Sequence, residues 1–261
     1  MKYLFGVGVQ LLFGEAEPPK KDMFFIKYKK VVMKLNYTGE DNLEIMNEAV
    51  NYNRQLLALL LKAKVRKNCK IADLGAGNGF FAKSLKRLGY KNIVCIEPAM
   101  NMQRYLNEFK LFSLIDDIDD CSLDWVYSLN VLEHIEDDVA TIKNIHCKLK
   151  KGGKVFVYVP AFQCLFSSMD KKVGHYRRYS KNDIIKKFEN NGFVIDDCQY
   201  ADFLGFFASL IFKVMVNKSG TPNVAIVKIY DNIIFPFSVF LDKITGGKLL
   251  GKNLFLIARK K

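Results

Sequence analysis

The chain has 261 residues, half of them hydrophobic, which is enough for one well-buried domain with additional elements. Forty basic residues against 27 acidic ones give a net charge of +13, which favours nucleic acid, anionic lipid headgroups or acidic small molecules as partners, although a generally basic cytoplasmic protein explains it equally well. The six cysteines form no Cys-x-x-Cys pair and the three histidines lack metal-site spacing, which argues against a disulfide scaffold and against zinc.

The first forty residues give no firm secondary-structure signal. A short apolar stretch, Tyr3 to Phe13, follows a single lysine and precedes a poor cleavage site, so it is not predicted to be a signal peptide, and it is too short to span a bilayer. We therefore expect a cytoplasmic protein. From Asp41 to Lys64 the apolar spacing is helical, and residues 1–64 are predicted to form an N-terminal helical extension.

The next part of the chain alternates between short apolar runs and amphipathic runs, which predicts a parallel sheet covered by helices on both faces. The predicted strands are Lys70–Leu74, Asn92–Ile96, Phe112–Ile115, Trp125–Leu129, Lys154–Val159, Phe193–Cys198 and Leu254–Ala258. The predicted helices are Phe80–Leu88, Ala99–Phe109, Asp137–Leu149 and Lys181–Asn191, the last opened by a capping box of Ser180 and Asp183. Residues 65–200 are thus assigned to the core, and residues 253–261 to its last strand.

A strongly aromatic and apolar segment, residues 201–252, precedes that last strand. Neither of its two apolar parts reaches the roughly 18 to 20 uninterrupted apolar residues of a membrane span, because charged residues intervene. The intervening residues are Lys213, Lys218 and Asp231. Helices on a membrane surface, a lid over an apolar pocket and additional core packing all fit this composition.

Between the first strand and the first core helix lies the loop Gly75-Ala76-Gly77-Asn78-Gly79. A glycine turn between a strand and a helix is typical of nucleotide-binding sheets. The spacing differs from the dinucleotide pattern, which places its third glycine where this chain has Phe80. Glu97 ends the second strand, where a carboxylate can accept hydrogen bonds from ribose hydroxyls.

Four segments in the same order resemble those of class I S-adenosylmethionine-dependent methyltransferases, over about residues 70–160. The segments are Ile71–Gly79, Glu97 with its strand, Asp124–Ile135 with the triplet Leu132-Glu133-His134, and Leu149–Lys154. The resemblance implies a Rossmann-like α/β fold with a seven-stranded, mostly parallel sheet and helices on both faces. It also implies S-adenosylmethionine as the cofactor.

The resemblance assigns cofactor contacts to named positions. Asp73 would accept hydrogen bonds from the ammonium group of the cofactor, and Glu97 would bind its ribose. Gly75 and Gly77 would let the backbone approach it closely. The remaining positions are Asp116 or Asp117, with Ile118, near the adenine, and Asn130 at the methionine end.

The segment from Asp170 to Ser180, with its Gly-His-Tyr-Arg-Arg-Tyr run, resembles a bacterial methyltransferase subgroup associated with glycan or cell-envelope biosynthesis, and more loosely the membrane-associated ubiquinone-biosynthesis O-methyltransferases. Arg177 and Arg178 can bind a carboxylate or phosphate through paired donors. Tyr176 and Tyr179 suit a sugar face or an isoprenoid tail. The alternative is a surface loop whose arginines pair with local acids.

A hydroxyl acceptor must lose a proton, which favours a base with a pKa near neutrality. His175, in the substrate segment, is the first candidate and His134 the second, whereas an amine acceptor needs no dedicated base. The predicted function is methyl transfer to a small-molecule or lipid- or glycan-linked acceptor. The expected location is the cytoplasm, including the inner face of the membrane.

Three other functions remain open. A nicotinamide-dependent dehydrogenase is disfavoured by the glycine spacing and by the Leu132-Glu133-His134 triplet. A non-catalytic membrane-associated protein with a methyltransferase fold is disfavoured by the intact Asp73 and Glu97. RNA methylation would suit the charge, but Asn130 is not followed by the Pro-Pro-Tyr/Phe motif, and nucleic acid is not the expected partner. The sequence leaves the oligomeric state open.

Overall fold

A computed structural model describes residues 46–215 and 224–261 of the chain. Most of the predicted N-terminal extension and residue Lys218 lie outside the described residues. The described part of the extension contains the helix α1, over Val50–Leu61. Its buried residues, Leu56, Leu59 and Leu60, pack against the sheet.

Seven strands form one sheet in the order β3-β2-β1-β4-β5-β7-β6, with β7 antiparallel to both of its neighbours and the other pairs parallel. This confirms the predicted seven-stranded, mostly parallel sheet of the Rossmann-like methyltransferase fold. The strands are β1 Lys70–Leu74, β2 Asn92–Ile96, β3 Lys110–Phe112, β4 Leu123–Leu129, β5 Leu149–Pro160, β6 Phe193–Ala201 and β7 Asn253–Lys260.

Helices cover both faces of the sheet because the strands are apolar on both sides. On one face, Ile142 and Phe188 join a buried cluster with residues such as Val126; on the other, Leu60 and Leu85 pack against a second cluster that contains Trp125. The remaining helices are α2 Phe80–Arg87, α3 Met100–Gln103, α4 Asp138–Lys148, α5 Ser168–Lys172, α6 Lys181–Asn190, α7 Phe203–Met215 and α8 Val224–Thr245.

The sheet positions the site through its strand order. The order reverses between β1 and β4, and in such sheets ligands bind in the crevice at the carboxyl ends of the strands on either side of that point. Residues that follow β1, β2 and β4 therefore meet at one edge.

Several observed elements extend beyond their predicted bounds, such as β5, which begins at Leu149 and not at Lys154, and two others are shorter or shifted. The helix expected over Ala99–Phe109 is only α3, because the chain continues after it in single turns closed by bonds such as Leu106 N–H to the Gln103 carbonyl. The strand expected over Phe112–Ile115 is β3, which ends at Phe112. A 3₁₀ turn follows it and places Asp116 and Asp117 beyond the strand end.

The apolar segment forms two helices, α7 and α8. The apolar run is interrupted by Asp231 as expected, yet α8 is continuous across it, with 22 residues and a mean hydropathy of 1.7 in its most apolar window. Asp231 does not break the helix, because it points inward: its carboxylate accepts the backbone N–H groups of Asn51 and Tyr52 at 2.9 and 2.8 Å. By length and composition alone, α8 is sufficient to cross a membrane.

Candidate active site

The glycine loop turns sharply at the carboxyl end of β1. Gly75 has φ +76°, a left-handed conformation that residues with a side chain rarely adopt. A Cβ atom there would also overlap the side chain of Val131, so the loop packs directly against the turn that follows β4. The loop and that turn therefore form one continuous surface at the edge of the sheet.

Glu97 joins the second strand to this loop. Its Oε2 accepts the N–H of Gly77 at 2.8 Å, and its Oε1 accepts the N–H of Ala99 at 2.9 Å. The side chain is mostly buried, and this burial raises its pKa, opposed by the two backbone donors. Each oxygen accepts one of these bonds, and a carboxylate has four lone-pair sites, so Glu97 can still accept ribose hydroxyls.

Asp73 is buried at the end of β1 and accepts the hydroxyl of Tyr127 at 2.7 Å. Burial raises the pKa of Asp73 to about 7; the Tyr127 hydrogen bond opposes the rise and the charge of Glu97 adds to it. A nearby cation would stabilise the ionised form. The predicted partner, an ammonium group, is such a cation.

Asn130 lies just past β4 with φ +53°, and its backbone N–H donates to the carbonyl of Tyr158 at 2.8 Å. Its side chain is exposed and forms a hydrogen bond with Tyr52 of α1. Asp116 and Asp117 are exposed on the 3₁₀ turn after β3, and Oδ1 of Asp116 accepts the side-chain amide of Asn144 at 2.8 Å. All the predicted cofactor positions thus lie at or just beyond the carboxyl ends of β1, β2, β3 or β4.

The predicted substrate segment folds around a buried carboxylate. Asp170, in α5, accepts Nε and Nη2 of Arg178 at 2.9 and 3.0 Å and lies 2.8 Å from Nδ1 of His175. Although burial opposes the effect, the hydrogen bonds from His175 and Arg178 hold the pKa of Asp170 far below its usual range. The carboxylate is therefore ionised at any physiological pH.

The two arginines do not point freely toward a substrate. Arg178 is committed to Asp170, and Arg177 pairs with Asp138 at 3.0 Å and donates to the carbonyl of Glu136. This arrangement matches the alternative of arginines paired with local acids, and it argues against the predicted anion site. Ion pairs of this kind hold a segment in one conformation, so both arginines stabilise the conformation of this loop.

The tyrosines of the segment differ from each other. Tyr179 has no exposed surface, and its hydroxyl donates to Asp138 at 2.8 Å, which indicates a structural role and not the predicted substrate contact. Tyr176 is 53% exposed and remains a candidate for that contact. Its backbone N–H donates to the carbonyl of Glu133 at 2.7 Å, which ties the segment to the turn after β4.

The two candidate bases lie together. The rings of His134 and His175 are edge to face, with centroids 4.5 Å apart. Burial and the neighbouring His175 lower the pKa of His134 to about 4, so its imidazole is neutral at neutral pH. Nε2 of His175 lies 3.9 Å from a carboxylate oxygen of Glu133, a fully buried residue whose pKa burial raises to about 8.

Sequence reasoning gave no role to four residues that shape this edge. Glu133 and Asp170 were part of the quoted motifs; the available signal was that Glu133 adjoins His134 and that Asp170 begins the segment containing His175 and Arg178. Tyr52 and Tyr127 gave none, because their partners Asn130 and Asp73 lie far away in the chain.

A family model described as a methyltransferase domain matches residues 44–197, more than half of the chain. The chain belongs to this methyltransferase family. The match includes every predicted site residue, from Asp73 to Tyr179.

Two curated relatives have related sequences. The mitochondrial ubiquinone biosynthesis O-methyltransferase of Dictyostelium discoideum is 26% identical over 199 residues, which cover 63% of this chain and 58% of that protein. The tRNA U34 carboxymethyltransferase of Campylobacter hominis is 26% identical over 99 residues, 34% of this chain and 35% of that protein. The matches thus span about a third and somewhat more than half of these relatives.

Among solved structures, phosphoethanolamine N-methyltransferase 2 of Haemonchus contortus, in complex with S-adenosyl-L-methionine, superposes with a TM-score of 0.54 at 19% identity. The superposition covers 79% of this chain and 52% of that one. At this identity the likeness establishes the fold alone.

Proposed function

We propose that this protein is an S-adenosylmethionine-dependent methyltransferase that methylates a hydroxyl of a small-molecule or lipid- or glycan-linked acceptor at a membrane surface. The observation that carries the cofactor assignment is the junction of Glu97 with the glycine loop through Gly77. It supports the assignment because a carboxylate able to accept ribose hydroxyls lies directly beside the glycine loop.

The residues at this edge fit the cofactor. Asp73 would hold the ammonium group, Glu97 the ribose hydroxyls, and Gly75 and Gly77 would allow close backbone approach, with Asn130 at the methionine end. When bound, S-adenosylmethionine supplies a methyl group activated by its sulfonium. The work of the protein is then to bring the acceptor oxygen into line with that methyl group, exclude water and remove a proton.

Calorimetric titration of the full chain with S-adenosylhomocysteine tests the cofactor assignment. We expect saturable binding to the wild type and loss of binding in Asp73→Ala and Gly77→Asp variants that remain folded by circular dichroism. Asp183→Asn, a change in an exposed carboxylate of α6, serves as the control and should bind normally. Stabilisation by NAD without stabilisation by S-adenosylhomocysteine would instead favour the dehydrogenase, and binding of neither would favour the non-catalytic alternative.

For the acceptor, the exposed stripe of α8 is the guiding feature. Six large apolar side chains recur along one face of the helix at intervals of three and four residues, while Asp231, Phe235 and Ser238 on the opposite face are buried. The exposed residues are Ile226, Ile229, Ile233, Phe237, Phe240 and Ile244, each between 57% and 66% exposed. Contiguous apolar surface of this kind favours contact with lipid.

The contacts of α8 with the core argue for a helix lying on the membrane, not crossing it. Asp231 caps α1, and Asp242 accepts the backbone N–H groups of Asp202 and Phe203 at 2.8 and 3.0 Å. A crossing helix would carry these carboxylates into lipid. Lys243 and Lys248 are exposed at one end of the stripe and suit anionic headgroups.

Vesicle flotation tests this location. We expect the full chain to float with vesicles containing phosphatidylglycerol, and a Phe237→Asp/Phe240→Asp variant to remain in solution while it still binds S-adenosylhomocysteine. A paired change at exposed residues away from the stripe, Lys86→Asp with Arg87→Asp in α2, controls for charge alone. Equal flotation of the Phe237/Phe240 variant and the wild type would remove the membrane from the proposal.

RNA is the competing acceptor class, supported by the net charge of +13 and by the relative named as a tRNA U34 carboxymethyltransferase. The apolar stripe of α8 favours lipid over RNA, because RNA-binding surfaces are polar and positively charged. Binding of unfractionated tRNA that survives 0.2 M salt would reverse this preference.

A further inference from the structure

The carboxylate of Glu133 is buried in an unusual way. It lies in the 3₁₀ turn after β4 with no exposed surface, and within the described parts of the chain neither of its oxygens has a hydrogen-bond partner. Leaving a buried polar group unpaired is costly, and a buried carboxylate is normally paired or bound to a metal ion. Glu133 is aimed instead at two imidazole rings.

Those rings belong to His134 and His175. One ligand atom from each of Glu133, His134 and His175 lies within 4.8 Å of the other two, which is compact enough for a single ion to draw all three together. One carboxylate and two imidazoles is a donor set of catalytic zinc sites and of other first-row transition-metal sites. Magnesium, which prefers oxygen ligands, fits it poorly.

The imidazole of His175 is oriented through its other ring nitrogen. Nδ1 of His175 faces Oδ1 of Asp170 at 2.8 Å, which leaves Nε2 directed toward Glu133. The ring of His134 donates to the backbone at Val173 and Gly174. A histidine that binds a metal usually donates its second nitrogen to a carboxylate or a backbone carbonyl in this way. The surroundings of His175 are thus those of a metal ligand, and His134 is held beside it by its backbone contacts.

We propose that Glu133, His134 and His175 form a binding site for one divalent transition-metal ion, with Asp170 as a positioning residue for His175. Three protein ligands leave a coordination position open. The site follows Asn130 and Val131 at the carboxyl edge of the sheet, so that position would take an oxygen of the methyl acceptor and lower its pKa, a role that rests on the proposed function. The histidine spacing gave no sign of this site, because the ligands come from two distant segments.

Metal titration of the full chain tests the site without an acceptor. Protein dialysed against EDTA is titrated with Zn²⁺ in competition with a chromophoric chelator, and we expect one ion per chain. His175→Ala, His134→Ala and Glu133→Gln should each weaken binding at least tenfold, and Asp170→Asn about tenfold or more through the orientation of His175. His146→Ala, at a histidine of α4 remote from the cluster, should bind as the wild type does.

Cobalt distinguishes this site from the exposed cysteines Cys121 and Cys164, which also bind soft metals. Co²⁺ bound by imidazole and carboxylate should show d–d absorption without the thiolate charge-transfer band, and the signal should vanish in His175→Ala. Zinc affinity that is unchanged in both His134→Ala and His175→Ala, or a thiolate band in the wild type, would overturn the proposal.

S-adenosylhomocysteine binding is measured on the same samples. If the metal binds and S-adenosylhomocysteine does not, the proposed methyltransferase function fails while the metal site stands. If S-adenosylhomocysteine binds and no metal does, the metal site fails and the function stands. Glu133→Gln is the variant most prone to misfold, because Glu133 is fully buried. If it does not fold, His175→Ala still decides the test, because His175 is partly exposed.

Discussion

Arg178 and Asp170 form a two-bond ion pair in which both side chains are almost completely shielded from solvent. The pair joins α5 to the strand-like end of the predicted substrate segment, and Asp170 simultaneously orients His175. One carboxylate therefore fixes both the shape of this segment and the direction of one candidate catalytic ring.

Asp170→Asn should lower the free energy of unfolding by about 3–5 kcal/mol, because it leaves the Arg178 charge buried without its partner. Adding Arg178→Met to that variant should restore part of the loss. Since the folded-state pKa of Asp170 is depressed, its contribution is complete above the unfolded value of about 3.9, begins to decline below it, and is fully lost only as the pH falls through the folded-state pKa. Urea unfolding at pH 7 and pH 3.5 measures both effects; a wild-type difference that persists in the single variant would contradict the assignment.

Binding of S-adenosylhomocysteine should tighten as the pH rises through 7. Burial holds the pKa of Asp73 at about 7, and only the ionised carboxylate accepts hydrogen bonds from an ammonium group. The dissociation constant should be about tenfold higher at pH 6 than at pH 8, given the fraction of Asp73 that is ionised. Isothermal calorimetry at the two pH values measures this, and Asp73→Asn should bind weakly at both. A wild-type constant independent of pH would place the ammonium away from Asp73.

Gly75→Ala should destabilise the fold by about 2–4 kcal/mol, because the left-handed backbone and the overlap with Val131 add together. Val131→Ala in the same chain should recover the packing part and leave the backbone part. Thermal unfolding of the single and double variants separates the two. Gly152→Ala is the matched control, since Gly152 also has a positive φ but no neighbouring atom within 4 Å of the added carbon. Equal losses at Gly75 and Gly152 would exclude the packing contribution.

Asp231→Ala should lower the free energy of unfolding by about 1–3 kcal/mol, because it removes the side-chain acceptor of two backbone donors at the start of α1. Asn232→Ala, at an exposed neighbour whose side chain accepts a hydrogen bond from Asn51 at 3.4 Å, should change stability by less than about 0.5 kcal/mol. Chemical denaturation gives both values. If the two variants are equally stable, Asp231 does not cap α1.

The sheet was predictable because its signals are local. β1 and β2 have the bounds that their apolar runs predict, and Ser180 caps α6 as its motif predicts, with its hydroxyl accepting the N–H of Asp183. Each depends on neighbouring residues. The short α3 was overestimated because apolar spacing does not reveal where the chain must turn toward the next strand.

The site was only partly predictable because its decisive contacts join distant segments. The roles of Arg177 and Arg178 depend on Asp138 and Asp170, and no local pattern distinguishes an arginine that is paired from one that binds a ligand. The continuity of α8 likewise depends on Asp231 having a partner in α1. Asp73, Gly75, Gly77 and Glu97 remain predicted cofactor contacts, supported by their meeting at one edge.

The position of β7 imposes an order on folding. β7 follows the apolar segment in the chain but lies between β5 and β6 in the sheet, so β6 has no partner strand until the whole of α7 and α8 has been synthesised. During that interval the apolar stripe of α8 and an unpaired sheet edge are exposed together, the combination that promotes aggregation. A membrane surface beside the ribosome would shelter the stripe during this interval, so the lipid that we propose as the working site of the protein would also assist its maturation.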